Sequence, residues 1–389
     1  MEVSDKERKM LDYQLPFEIQ IEIMKWLPAE SLIRFRSVSK PWKLLISSLK
    51  FNCDYTTHHA QRQHLLLGYT RPSQGFLVSI VDDHTFPEHK LNVTIPESLE
   101  LKELQVVGSS HGLLCFVGVP GNYEKNTPND VVIWNPSIKK FVSICLLNVK
   151  KSCSHHQYSF VGFGVCPNTL DPKIVKICTC KHKCNVNVEV FTFNSKVSRS
   201  PSSNILLHVD FTYPYNNVVI DGFIYWFVFE IRERVYMIVS FDLTNEEFTK
   251  TRLPDELELS LKWSDHMDTR IFKLREYLVV VLQSMKTPQE VFEVWKMENG
   301  VTRSFTKLFN INIPDLSVIQ LCGFNKNGQF ILETDNCGSR DLVAYEPHKK
   351  SINNLVNDGR IGSFMVTYYT ESLLLSHGYD ARPNWVRPV

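Results

Sequence analysis

The segment Gly108-Ser-Ser-His-Gly112 has the Gly-x-Ser-x-Gly form of a nucleophile elbow, which would make Ser110 the attacking hydroxyl of a hydrolase. That chemistry requires a strained strand-to-helix turn above a parallel sheet, where the hydroxyl stands exposed. Here the apolar, strand-type run Leu113–Val117 follows in place of a helix, so the sequence argues against a catalytic Ser110. Soft-metal chemistry is the second candidate. Cys178, Cys180, His182 and Cys184 alternate with a spacing of two, and Cys153, His155, His156 and Cys166 lie upstream. On an extended strand all four would point to one face, whereas tetrahedral zinc usually takes two pairs, each closed by a tight turn. A hairpin around residues 181–183 could still gather them, but a lysine-rich loop whose cysteines happen to alternate is the favoured reading, with no metal. Asp265, His266 and Asp268 offer acid–base groups, yet one charged loop between Leu261 and Ile271 accounts for them equally. There is no Gly-x-Gly-x-x-Gly, no Gly-Lys-Ser/Thr phosphate loop and no His-Glu-x-x-His, so no cofactor is expected.

Composition bounds the elements that would position such groups. With 43 Lys+Arg against 42 Asp+Glu, the net charge of +1 gives no general pull toward nucleic acid or an anionic membrane. No apolar run approaches the ~18 residues of a spanning helix, and the first nine residues are too charged for a signal peptide. Ten cysteines scattered over 389 residues suit a reducing interior better than a disulfide scaffold, which makes Asn92-Val-Thr94 a chance tripeptide. The expected location is cytoplasmic, nuclear or both.

The first 50 residues differ in pattern from the rest. Pro16 opens a helical stripe of Ile19, Ile23, Trp26 and Leu27, which Pro28 ends. Residues 29–35 predict a second short helix, with Leu32 and Phe35 three apart, and Pro41 starts a third. Three short helices in about 35 residues cannot bury a self-sufficient core, so this unit expects a partner.

From Leu65 onward β-type runs take over. Turn dipeptides precede continuous apolar runs: His111-Gly112, Asp221-Gly222, Asn327-Gly328 and, without the glycine, Arg275-Glu276. About twenty residues later each run is followed by an apolar strand ending in an aromatic. These aromatics, Trp134, Phe241, Trp295 and Tyr345, together with Phe191, stand at gaps of 57, 50, 54 and 50. An apolar residue recurs seven places on at Phe141, Phe248 and Ile352, while Ser198 and Thr302 break the echo. A period near 50 is that of kelch-type propeller blades, each a small antiparallel sheet. The expectation is a mainly β protein with a kelch-type β-propeller of six to seven blades. A degenerate copy would lie at residues 65–95 and a ring-closing strand within 364–376. The competing reading is an irregular β-sandwich. Trp226 and Trp295 lie in apolar runs and are read as core rather than base-stacking platforms.

Residues 15–46, with Leu15-Pro16, Leu27-Pro28, Ser31-Leu-Ile-Arg-Phe35 and Val38-Ser-Lys-Pro-Trp42, strongly resemble the F-box of a plant F-box family. Later segments resemble the F-box-associated region of the same family: Gly108–Leu114, Trp134-Asn-Pro-Ser137, Gly162-Phe-Gly164, Lys173–Ile177, Val188–Val190, Val239–Asp242 and Glu371-Ser-Leu373. The resemblance implies an F-box at 10–52, a linker at 53–64, a propeller at 65–378 and a flexible tail at 379–389. It implies docking on a Skp-type adaptor, and through it on a cullin, with the propeller holding an unknown target protein for ubiquitination. Leu15, Pro16, Ile23, Leu27, Pro28, Leu32 and Phe35 correspond to the family's adaptor-facing and helix-packing positions. Val38 and Trp42 would fix the third helix. Trp26 and Pro41 depart from the family pattern, and Trp26 would serve as an exposed anchor or pack on the propeller. His58, His59 and His64 fall in the linker and are expected to be solvated. No catalytic residue, nucleic-acid partner or membrane partner is expected. A propeller enzyme or carbohydrate-binding module, with the head as a mere domain contact, is the alternative.

Overall fold

The computed structural model describes residues 15–60, 62–71, 74–96, 104–118, 130–145, 157–180, 186–211, 217–262, 267–284, 290–298, 304–313, 316–336 and 338–376. The head is four helices: α1 (Phe17–Lys25), α2 (Ala29–Phe35), α3 (Lys40–Ile46) and α4 (Leu49–His59). Pro16 and Pro28 stand just ahead of α1 and α2, where a missing N–H costs nothing. Ser39 Oγ accepts from Trp42 N at 3.3 Å and Ser48 Oγ from Phe51 N at 3.2 Å, capping α3 and α4. Met24, Ala29, Leu32, Ile46, Phe51 and Tyr55 form the head's core.

The fourth helix was not expected. Residues 53–59, read from sequence as the start of a linker, are α-helical, and Phe51 and Tyr55 turn inward one turn apart. His59 is buried rather than solvated, and its Nε2 donates to the Lys25 carbonyl at 3.0 Å. His64 begins the first strand, with Nδ1 2.9 Å from Ser79 Oγ.

Six antiparallel sheets follow, arranged as the blades of a propeller. The first joins Met365–Tyr369, His64–Arg71, Gln74–Val81 and Lys90–Asn92, so the last strand of the chain is the inner strand of the first blade and closes the ring. The others run outward in chain order. The second is Leu104–Ser110, Leu113–Gly118, Asp130–Asn135 and Lys140–Cys145; the third is Gln157–Val165, Pro172–Cys180, Val186–Thr192 and Val197–Arg199. In the fourth, Asn217–Ile220 and Val209–Phe211 both pair with Phe223–Glu230, followed by Val235–Asp242 and Phe248–Arg252. The fifth is Met267–Leu274, Tyr277–Ser284, Glu290–Met297 and Phe305–Ile313; the sixth is Val318–Phe324, Phe330–Asn336, Ser339–Glu346 and Ser351–Gly359. Six apolar clusters fill the gaps between successive blades, which makes blade-on-blade burial the main stabilising term.

The repeating aromatics occupy one place in this scheme. Trp134, Phe191, Phe241, Trp295 and Tyr345 all lie on third strands, opposite Leu114, Ile174, Ile224, Val280 and Phe330 of the second. Trp226 and Trp295 are buried between blades.

Candidate functional site

The head buries one side and exposes the other. Leu15, Phe17, Ile19, Ile23, Trp26, Val38, Leu44 and Leu49 are eight of the seventeen exposed large apolar side chains among the described residues, concentrated in 35 positions. Ile19, Ile23 and Trp26 recur at i, i+4 and i+7 along the outward face of α1, while Met24 points in. A concentration of exposed apolar side chains on so small a unit makes it the candidate docking surface. Of the residues marked in sequence, Leu15, Pro16, Ile23 and Pro28 are exposed, and Leu27 and Phe35 are half-buried. Leu32 is fully buried and belongs to the internal packing. Trp42 fixes α3: its Nε1 donates to Gln20 Oε1 at 2.9 Å and its ring lies 5.3 Å from Phe35. Val38 does not, being 64% exposed. Trp26 is 60% exposed and stands edge-on to His58 at 4.2 Å, with the Arg62 guanidinium 5.7 Å from its ring.

The head is joined to the propeller by the segment after the closing strand. Glu371 Oε2 accepts from the Ala29 backbone N–H at 3.0 Å and lies 2.8 Å from the Tyr55 hydroxyl, whose proton is shared with the Leu27 carbonyl at 3.0 Å. Pro28 offers α2 no side-chain cap, so a carboxylate from the propeller caps this helix and meets its positive end. Burial first, and then the Glu371 charge, pushes the Tyr55 pKa far up and keeps the phenol neutral. Leu373, 1% exposed, completes the head's core, with Ile138 beside it. The Arg36 guanidinium donates to the Ser376 carbonyl.

The Trp134-Asn-Pro-Ser137 motif holds that segment in turn. The fully buried Asn135 donates through Nδ2 to the carbonyls of Ser372 at 3.0 Å and Leu374 at 2.7 Å, and its Oδ1 accepts from Ser137 N at 3.0 Å. Gly112 packs on the same segment: at φ +74° it adopts a left-handed turn, and a Cβ there would lie 2.3 Å from the Thr370 carbonyl oxygen. Sequence reasoning saw these motifs separately and missed that they meet.

The chemical candidates are positioned differently. Ser110 ends an inner strand before a hairpin turn, and its Oγ accepts from Val165 N at 3.1 Å across the blade gap, with His111 Nδ1 3.0 Å away. It ties two blades together and has no helix behind it. Cys178 is buried with Sγ 3.4 Å from Ser159 Oγ, Cys180 ends its strand, and Cys166 is buried at a turn. His182, Cys184, Cys153, His155 and His156 lie outside the described residues, among which no group of three or more His, Cys, Asp or Glu is placed for a metal. Asp268 pairs with Arg270 at 2.9 Å; Asp265 and His266 are also outside the described residues. Among the described residues no helix is long and apolar enough to cross a membrane. A channel of about 990 Å³ follows the propeller axis, from Thr56 and Ala60 of the head to Arg360 and Ile361 at the far end.

Comparison with known proteins agrees with this division. Residues 13–54 match the F-box domain family and residues 76–372 the F-box associated beta propeller domain family. The second match covers most of the chain, which therefore belongs to the F-box proteins with an F-box-associated propeller. F-box only protein 15 of Arabidopsis thaliana is 24% identical over 94% of this chain and 95% of its own length. An F-box/kelch-repeat protein of the same plant is 26% identical over 61% of this chain and 64% of its own. A third Arabidopsis F-box protein is 26% identical over 62% of this chain, a match spanning 59% of that relative.

Proposed function

We propose that this chain is the target-recognition subunit of a Skp–cullin–F-box ubiquitin ligase, working in the cytoplasm, the nucleus or both. The observation that carries the reading is the head's set of exposed apolar side chains, among them Leu15, Ile19, Ile23 and Leu44, left uncovered while the head is latched to the propeller through Glu371. A Skp-type adaptor covers that face and brings the cullin, and the propeller holds the protein to be ubiquitinated. In this reading the bond-making belongs to the other subunits, and holding target and ubiquitin-transfer machinery together raises their effective concentration. The alternative, a propeller enzyme or carbohydrate-binding module with the head as a domain contact, accounts for the Glu371 joint but leaves the outward face unexplained.

The test uses the full-length chain. Leu15→Ala with Pro16→Ala should abolish co-purification with a Skp-type adaptor while the propeller keeps its far-ultraviolet circular dichroism and melting transition. Undiminished co-purification sinks the assignment.

A further inference from the structure

The head covers one end of the channel, and the strand His64–Arg71 starts beside it and ends at the other. Seven steps of about 3.3 Å separate its two ends by about 23 Å. At the far end the chemistry changes. Arg71 and Arg360 are exposed, and among the described residues neither forms an ion pair with a carboxylate. Arg71 lies over two rings, 5.6 Å from the centroid of Tyr69 and 5.3 Å from that of Phe76, which are themselves stacked at 5.2 Å. Among the described residues its guanidinium makes a single, long hydrogen bond, 3.3 Å, to the Asn357 carbonyl. Arg360 is brought alongside because its N–H donates to the Thr70 carbonyl at 2.9 Å, and Thr70 N donates back to Ser363 Oγ at 3.2 Å. Ile361, 68% exposed, follows Arg360 in the chain and, like it, lines the channel. Of the carboxylates near this loop, Glu333 is fully buried and accepts from Gln320 Nε2 at 2.6 Å and Gly362 N at 3.2 Å, while the exposed Asp358, two residues before Arg360, accepts from Ser339 Oγ at 2.8 Å.

The end under the head is different: there Lys273 is neutralised by Glu276 at 3.1 Å. Two guanidiniums at one mouth, without an ion pair among the described residues, in a chain of net charge +1 are therefore a local feature. Arginine on an aromatic platform, beside an exposed apolar side chain, is the composition of a binding hot spot. The guanidinium is a planar fork that matches a carboxylate, and stacking holds Arg71 in place before any ligand arrives, which lowers the entropic cost of binding.

We propose that this mouth, built on Arg71, Arg360, Ile361 and the Tyr69–Phe76 stack, is where the target docks, and that it takes an acidic peptide segment with one apolar side chain, the carboxylates on the arginines and the apolar group on Ile361. This deepens the function proposed above and rests on it for the word target.

The experiment uses the full-length chain, with and without a Skp-type adaptor, and fluorescently labelled peptides of about ten residues that share one leucine. One peptide is rich in Asp and Glu, one carries the amide isosteres, one is basic and one has phosphoserine in place of the acids. The acidic peptide should bind tightest, weaken with added salt, and lose about tenfold or more on Arg360→Glu and again on Arg71→Glu. Arg71→Lys, which keeps the charge and loses the planar fork, should fall between. Equal binding of the acidic and amide peptides, binding of the phosphoserine peptide alone, or indifference to Arg360→Glu each overturns the proposal. Adaptor co-purification, measured on the same variants, should not change. If acidic peptides bind through these arginines but no adaptor does, the ligase reading fails and the docking site stands; the reverse removes only the docking site.

Discussion

Glu371 and Tyr55 lie 316 residues apart, yet the carboxylate and the phenol are 2.8 Å from one another. The same carboxylate oxygen caps α2 at Ala29. A head too small to be stable alone thus borrows its helix cap, and Leu373 of its core, from the propeller.

Removing the latch should loosen the head first. Glu371→Ala leaves the Ala29 N–H and the Tyr55 hydroxyl with one partner fewer, at a cost of about 1–3 kcal/mol. Tyr55→Phe should cost less, about 1 kcal/mol, and the two should be non-additive in a double-mutant cycle. Hydrogen exchange in α2 and α4 should quicken while the blade strands keep their protection. Equal quickening throughout would mean that the contact is not local to the head.

Asn135→Ala removes two donors from the carbonyls of Ser372 and Leu374 inside a closed space. Each stranded carbonyl costs about 1–3 kcal/mol, so the denaturation midpoint should fall by more than for Glu371→Ala. The same variant should release both the closing segment and the head, read as protease cleavage after residue 370. An unchanged midpoint would show that water replaces the amide.

Asp82 is 2% exposed; its Oδ2 accepts from Lys326 N at 2.7 Å, across the gap between the first and sixth blades, while Oδ1 has no partner among the described residues. Burial pushes its pKa up from 3.8 to about 6. A raised carboxyl pKa means that folding favours the protonated form. Its stabilising contribution is full below about pH 4 and is lost as the pH rises through about 6. Asp82→Asn, neutral throughout, should gain stability relative to the parent chain across that interval, by a few kcal/mol at most. Urea midpoints that run parallel for the two chains from pH 4 to 7 would remove this account.

Cys178 is committed to the core beside Ser159. Purified protein should carry less than one zinc per chain, and Cys180→Ser should not alter the amount. Stoichiometric zinc lost in the variant would reverse the reading.

Much of the propeller was legible because local rules repeat. The seven-residue echo is a hairpin register: Trp134 faces Phe141, Phe241 faces Phe248 and Tyr345 faces Ile352 across third and fourth strands. Phe191 faces Ser198 in the same register, so only the residue type changed there. Trp295 instead faces Lys307, because the fifth blade has a longer connection and a bulge, which is why Thr302 broke the pattern. The turn dipeptides mark left-handed backbone at His111, Asp221, Arg275 and Gly328. What stayed hidden is long-range or one-sided. The fourth helix shows only Phe51 and Tyr55 as inward signals among polar neighbours. The contact of Asn135 with Ser372 spans 237 residues and leaves no periodicity. The stripe on α1 was visible, but spacing alone does not say whether the chain's own core or a partner covers it.

That last point is the measurement on which the account turns. Purified full-length protein is titrated with a purified Skp-type adaptor by calorimetry, alongside Ile23→Asp, which places a charge on the outward face without entering the core. A saturable one-to-one complex, weakened about tenfold or more by Ile23→Asp at unchanged melting temperature, is the predicted result. No binding by the parent chain, or equal binding by the variant, would contradict it.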